Sequence, residues 1–304
     1  MGPISRPKEF VLVYLILLKK IKMTKQTPRP EDLSQVLLAI TQTYNIEEIY
    51  LHTFHEEELP YELVILLSNK CVKYLGELVP KITNTIRAFP KYRLMCYIAF
   101  QAKDKIREGN LFLYSSCQPH QRVYKNEQSD FVLQPENLHP SQCLELAVGL
   151  RNREQQKIID FKEGYDHFKA KGKLAMAAFM LHQVLELTYR YLELLLTAKE
   201  RISHSIRVHH ILMKEKCTLY SGVFDDDQET DSNLLRELEI IYRATRYEDG
   251  FEVSMEILLQ LEQKMEVLFA NEEKIFHHIV HSFGQEHAPG SGGEWPNDAP
   301  PLAQ

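Results

Sequence analysis

The sequence predicts an α+β protein in which an α/β unit precedes an antiparallel helical bundle. Three observations lead there. Short β-branched or aromatic runs alternate with helical stripes in the first part of the chain, no strand-like run follows Pro140, and from Leu174 apolar residues recur at three-and-four spacing. With 304 residues the chain exceeds one ordinary helical domain and suits two, with tails. The expected divisions are an extension over 1–22, the α/β unit over 23–140, the bundle over 141–281 and a disordered tail over 282–304.

In order, EDLSQVLLAITQTY places Leu33, Val36, Leu37 and Ile40 on one helical face. Glu48–Phe54 and Tyr61–Ser68 then read as a neighbouring pair of strands, short and bounded by polar residues or proline. Val72–Phe89 carries Leu75, Leu78, Val79, Ile82 and Ile86 on one stripe, a helix with a potential kink at Pro80, which has no N–H to donate. Tyr92–Phe100 has the length of a buried strand. A brief helix, a Gly109–Asn110 turn and a strand-like LFLYSS follow, and Asn126–His139 reads as a linker or surface loop.

Beyond Pro140, Ser141 is the expected helix cap, accepting a hydrogen bond from a free backbone N–H. Ile158, Phe161, Tyr165 and Phe168 mark a helix stripe, and Gly172 its left-handed end. The long apolar repeat from Leu174 to Leu196 must pack along most of its length. A histidine-rich turn (SIRVHHIL), an acidic loop and two further helices, with stripes from Leu234 to Thr245 and from Leu258 to Ile279, complete the bundle.

Composition narrows the function classes. Hydrophobic residues make up 44% and charged residues 26%, which is globular, and a net charge of −6 supplies no global basic footprint for nucleic acid or anionic membrane. Any such contact must be local. Five scattered cysteines without CxxC spacing suggest neither a disulfide framework nor a zinc knuckle, and point to a reducing, cytoplasmic setting. The apolar run Phe10–Leu18 is too short for a bilayer, which needs about 20 residues. Lys19, Lys20 and Lys22 stand where a signal cleavage site would need small residues, so no membrane partner is expected and Met23 is the simpler start of the folded protein.

The stretch from Leu174 to Asp249 carries a resemblance. FMLHQVLELTYRYLEL from Phe179, VHHIL at Val208–Leu212 and IIYRATRYEDGF from Ile240 resemble the HEPN domain, a small helical bundle. Phe179, Gln183, Glu186 and Arg190 match the family's first-helix pattern, His209 its histidine-opened helix, and Arg246–Asp249 its RYPD ending, with Glu248 in place of proline. HEPN domains often follow a minimal nucleotidyltransferase domain, and the N-terminal strands are similar to that plan. The catalytic groups of such a domain are missing. Where a Gly-Ser turn belongs stand Thr53-Phe54 or His55, the paired-acid position holds Pro60 and Glu62, and the third strand offers Met95 and Cys96. The resemblance is therefore to a degenerate nucleotidyltransferase-like domain, with no cofactor implied.

The many HEPN ribonucleases carry an Arg, four to six residues, then His; no arginine here has that spacing. The RYPD-type branch instead implies nucleotide or RNA binding and a homodimer through the bundle. Arg243, Arg246, Tyr247, His209, His182 and Arg190 are the candidate ligand-binding residues, since guanidinium groups give forked donors to phosphate, and no residue is assigned a catalytic role. The binding reading requires Arg243, Arg246 and His209 to line one cleft. The competing architectural reading pairs Arg246 with Glu186 or Asp249, packs Tyr247 and buries His182 in the core or a dimer interface. A ribonuclease or toxin component using other residues, and a pure scaffold, are the alternatives. His277 and His281 lack a third metal ligand nearby, and Asp225–Asp227 with Glu229 and Asp231 lacks the order of a calcium loop, so both read as solvated.

Overall fold

A computed structural model describes residues 29–52 and 61–287. The N-terminal extension, the Thr53–His55 turn position and the tail beyond His287, including GSGG and Trp295, lie outside the described residues. Helix α1 (Leu33–Thr41) leads to β1 (Ile46–His52) and β2 (Tyr61–Leu67), then a 3-10 turn (Asn69–Tyr74), α2 (Leu75–Thr85), β3 (Tyr92–Ile98), α3 (Ala99–Arg107), α4 (Leu111–Ser116) and β4 (Arg122–Lys125). The helical part comprises α5 (Pro140–Ala170), α6 (Leu174–Thr197), α7 (Ile206–Lys216), α8 (Glu229–Tyr247) and α9 (Met255–Glu286). This is a mixed α+β fold.

The strands form one mixed sheet in the order β3-β2-β1-β4, antiparallel except for the parallel β2–β3 pair. Strand side chains alternate between faces. Ile49, Leu51, Leu63, Ile65, Leu67, Cys96 and Ile98 accordingly pack with α1 and α2, while Tyr50, Val64, Leu66, Met95 and Tyr97 pack with α3, α4 and, from the helical part, Ala147, Ala198 and Phe283. Both faces being covered explains why β2 and β3 read as continuous apolar runs rather than alternating ones.

Several expectations are corrected. LFLYSS is the short helix α4, not a strand: Asn110 caps it by accepting from the Leu113 N–H at 3.0 Å, and its Nδ2 donates to the Leu194 carbonyl on α6. Six residues carry too little periodicity to separate helix from strand, and packing on α6 decides. Gly109, at φ +87°, sets up that cap and lies where an added Cβ would come within 2.4 Å of Leu146 Cβ. His139, not Ser141, caps α5; its Nδ1 accepts from the Ser141 N–H, and Pro140 takes the first helical position, where no N–H partner is needed. The stripe at Ile158–Phe168 belongs to this same 31-residue helix. The histidine-rich segment is helical rather than a turn, as α7. Helix α9 runs five residues into the expected tail and buries Phe283 against Tyr114. Gly172 does take the left-handed conformation after α5, at φ +68°.

In the helical part α5 and α9 run antiparallel, because Arg151 meets Glu272 while Lys169, further along, meets Glu262. Helix α6 lies at the centre, with buried side chains recurring from Ala177 to Thr197.

Candidate functional site

An apolar helix stripe interrupted by polar side chains must answer each of them with a partner, because an unpaired buried polar group is costly. Helix α6 buries His182, Glu186 and Glu193. All three are answered by the segment that follows. Ala198 ends α6 in the left-handed conformation, at φ +53°, and reverses the chain into Lys199–Ser205.

Glu193 Oε1 lies 2.7 Å from His209 Nδ1, and its Oε2 accepts from the Arg201 N–H at 3.2 Å. The other ring nitrogen of His209 faces the Ser203 carbonyl at 2.9 Å. Both nitrogens face acceptors, so both must donate, and His209 is an imidazolium paired with a carboxylate. Burial works to lower its pKa, but the bonds to Glu193 and Ser203 outweigh that and hold it above the ordinary histidine value.

His182 has the opposite character. Its Nε2 lies 3.0 Å from the His204 carbonyl, and its Nδ1 lies 3.1 Å from Gln183 Nε2, which can only donate. That set of partners suits a neutral ring. Burial, assisted by the nearby His204 and His209, pushes its pKa down to about 4 despite the backbone bond.

Glu186 is bracketed by His204, whose Nδ1 is 3.1 Å from both oxygens, and by Arg190 at 3.5 Å. Arg190 is also paired with Glu200. Toward the surface, the His204 ring stacks on Tyr242 of α8 with centroids 4.5 Å apart, and the Arg246 guanidinium lies over Tyr242 at 4.7 Å and over Tyr247 at 5.3 Å. His204 is 54% exposed and Tyr247 74%.

The expected six-residue site thus divides. Arg246 and Tyr247 stand together on the surface, with Arg243 exposed on the same helix and 3.8 Å from Glu248. His182 and His209 are fully buried, and Arg190 is held between two carboxylates. The cleft that was to join Arg243 and Arg246 to His209 is corrected: both His209 nitrogens are engaged inside the bundle, out of reach of a ligand. The architectural pairing is corrected too, since Arg190 rather than Arg246 meets Glu186, Arg246 rests on two rings and Tyr247 is not packed.

Sequence reasoning missed His204 and Tyr242. Tyr242 had a usable signal, being four residues before Arg246 and therefore its neighbour on a helix face. His204 had none, because its position depends on how the loop after α6 returns.

Other candidates resolve simply. His277 lies 3.8 Å from Glu273 and His281 bonds to Gln285, and among the described residues no group of three or more His, Cys, Asp or Glu could hold a metal ion. The acidic loop is less solvated than expected: Asp231 is buried in the first turn of α8, accepting from the Asp225 N–H and from Lys264. All five cysteines are buried free thiols. Among the described residues no helix is long and apolar enough to cross a membrane. No family model and no curated protein matches the chain.

Proposed function

We propose that this chain is a non-catalytic nucleotide- or RNA-binding protein whose helical part is a HEPN-like bundle and whose sheet part is a degenerate nucleotidyltransferase-like unit. Because His209 is buried away from Arg243 and Arg246, no cleft joins the three, and what supports the reading instead is the surface stack His204–Tyr242–Arg246 beside the exposed Tyr247. Guanidinium planes and aromatic faces are the groups on which unpaired bases stack, and the flanking Arg243 and Arg246 supply donors to phosphate. The buried pair Glu193–His209 and the contact of buried Glu186 with the half-exposed His204 serve this surface by fixing the loop that carries His204. A homodimer through the long helices, as the resemblance implies, would bring two such surfaces into one particle.

Fluorescence anisotropy with a short single-stranded RNA and with mononucleotides, on the full chain, tests the reading. Binding should weaken about tenfold or more in Arg246→Ala and in Tyr247→Ala, since base–aromatic stacking contributes about 1–3 kcal/mol per base. Absence of binding to every probe, or affinity unchanged in both variants, refutes it. Light scattering of the same samples tests the dimer.

One observation favours a second reading. His204 Nδ1 faces both oxygens of the Glu186 carboxylate at 3.1 Å, and the half-exposed ring stacks on Tyr242 at the surface. An exposed histidine oriented by a carboxylate supports the alternative reading, metal-independent RNA cleavage. Hydrolysis of RNA in excess chelator, abolished by His204→Ala, would establish it over pure binding.

A further inference from the structure

At one end of the sheet the seam with the helical part is polar. The paired residues His52, Glu62 and Arg93 form a row across β1, β2 and β3, and the next rows inward, Tyr50–Val64–Met95 and Leu66–Tyr97, are buried and mostly apolar. The helical part sets two lysines against this row. Lys216, the last residue of α7, lies 3.6 Å from Glu62 and donates to Met95 Sδ at 3.5 Å, and Arg93 Nη1 donates to the neighbouring Glu215 carbonyl at 3.3 Å. Lys199, just past the end of α6, lies with its Nζ over the Tyr97 ring at 4.6 Å, while the Tyr97 hydroxyl donates to the Thr197 carbonyl.

Among the described residues, three cations, Lys216, Arg93 and Lys199, therefore share one carboxylate, Glu62, an excess of two positive charges. Glu62 answers Lys216. Among the described residues neither Lys199 nor Arg93 has an ion pair with a carboxylate. Lys199 is half-buried, and burial followed by repulsion from Lys216 lowers its pKa, a cost that a bound anion would remove. Burial likewise raises the Glu62 pKa against the pull of Lys216, Arg93 and Lys199.

We infer that the seam between sheet and bundle is a metal-independent anion site, in which Lys199, Lys216 and Arg93 hold a phosphate or diphosphate group. A phosphate carrying a charge of about −1.5 to −2 matches that excess among the described residues. Arg93 supplies a forked donor from the open side, Lys199 a partly desolvated point charge from within, and Lys216 exchanges part of its contact with Glu62 for the ligand. Glu62 repels the anion and sets the balance between empty and filled states. The site shares no residue with the surface at Arg246.

Calorimetric titration of the full chain with inorganic phosphate, pyrophosphate and AMP, all in excess chelator, tests this. At least one should bind, and their ranking separates a free phosphate, a diphosphate and a nucleotide as its source. Lys199→Met and the exposed Arg93→Ala should each weaken binding about tenfold or more, because each removes a charged hydrogen bond. Glu62→Gln should bind more tightly than the wild type. No binding by any probe, a requirement for divalent metal, weaker binding in Glu62→Gln, or equal affinity in Arg93→Ala and wild type would overturn the inference. Failure of Lys199→Met to fold leaves Arg93→Ala and Glu62→Gln to decide it.

Discussion

Acidification should destabilise this protein through two buried neutral histidines, His182 on α6 and His210 on α7. Burial is the first cause at both, and each is held down to about 4. In the unfolded chain each ring returns to about 6.5. A histidine depressed in the folded state contributes stability that is present above pH 6.5 and lost as pH falls toward 4, because the unfolded chain takes up the proton first. Between pH 7 and pH 5 this withdraws about 2 kcal/mol per histidine, about 4 kcal/mol for the pair, a large share of the stability of an ordinary domain. His209 acts with the opposite sign, its raised pKa giving stability that is full below pH 6.5 and declines as pH rises through its folded value. Urea unfolding followed by far-ultraviolet circular dichroism at pH 7 and pH 5 measures the total. The difference in pH dependence between wild type and His182→Gln isolates one ring, since His209 and the carboxylates cancel. His182→Gln should flatten the loss between pH 7 and pH 5 by about 2 kcal/mol. An identical loss in wild type and variant would mean that His182 is not held neutral, and would refute the argument from its partners.

Other perturbations probe the architecture directly. Arg151 and Glu272 form a buried bidentate pair between α5 and α9, with the guanidinium also over the Phe276 ring. Arg151→Ala strands the carboxylate and should cost about 3–5 kcal/mol, whereas Arg151→Met with Glu272→Leu should lie near the wild type in denaturant midpoint. Gly109→Ala places a Cβ 2.7 Å from the Ala147 backbone N at a left-handed position, so chemical denaturation should show a loss of at least about 2 kcal/mol. Asn110→Ala removes both the α4 cap and the bond to the Leu194 carbonyl, and urea denaturation should show a cost of about 1–3 kcal/mol.

Much of the fold was legible because it rests on local periodicity. The stripes at Leu33–Ile40, Leu174–Leu196 and Leu258–Ile279 are helices, and the runs at Tyr61–Leu67 and Tyr92–Ile98 are strands. Failures fell on short segments and ends. LFLYSS is helical because Asn110 caps it and α6 covers it, and the chain beyond Ser282 stays helical through Glu286 because Phe283 has Tyr114 to pack against. In the candidate site, Arg246 and Tyr247 were found by pattern, but His209 and His182 belong to the same pattern for an architectural reason.

By itself, the sequence determined the long helices and the strands β2 and β3 and placed polar groups on the apolar stripe of α6, since each follows from spacing along one element. Only the tertiary structure decided which buried histidine is raised in pKa and which is lowered, and which arginine is already paired. Those outcomes depend on partners distant along the chain: Glu193 with His209, Glu186 with His204, and the Lys199 and Lys216 side chains brought back against β2 and β3. A side chain's chemistry is set by the groups that desolvate and bond it, and for this protein those groups arrive through the turn that Ala198 makes at the end of α6.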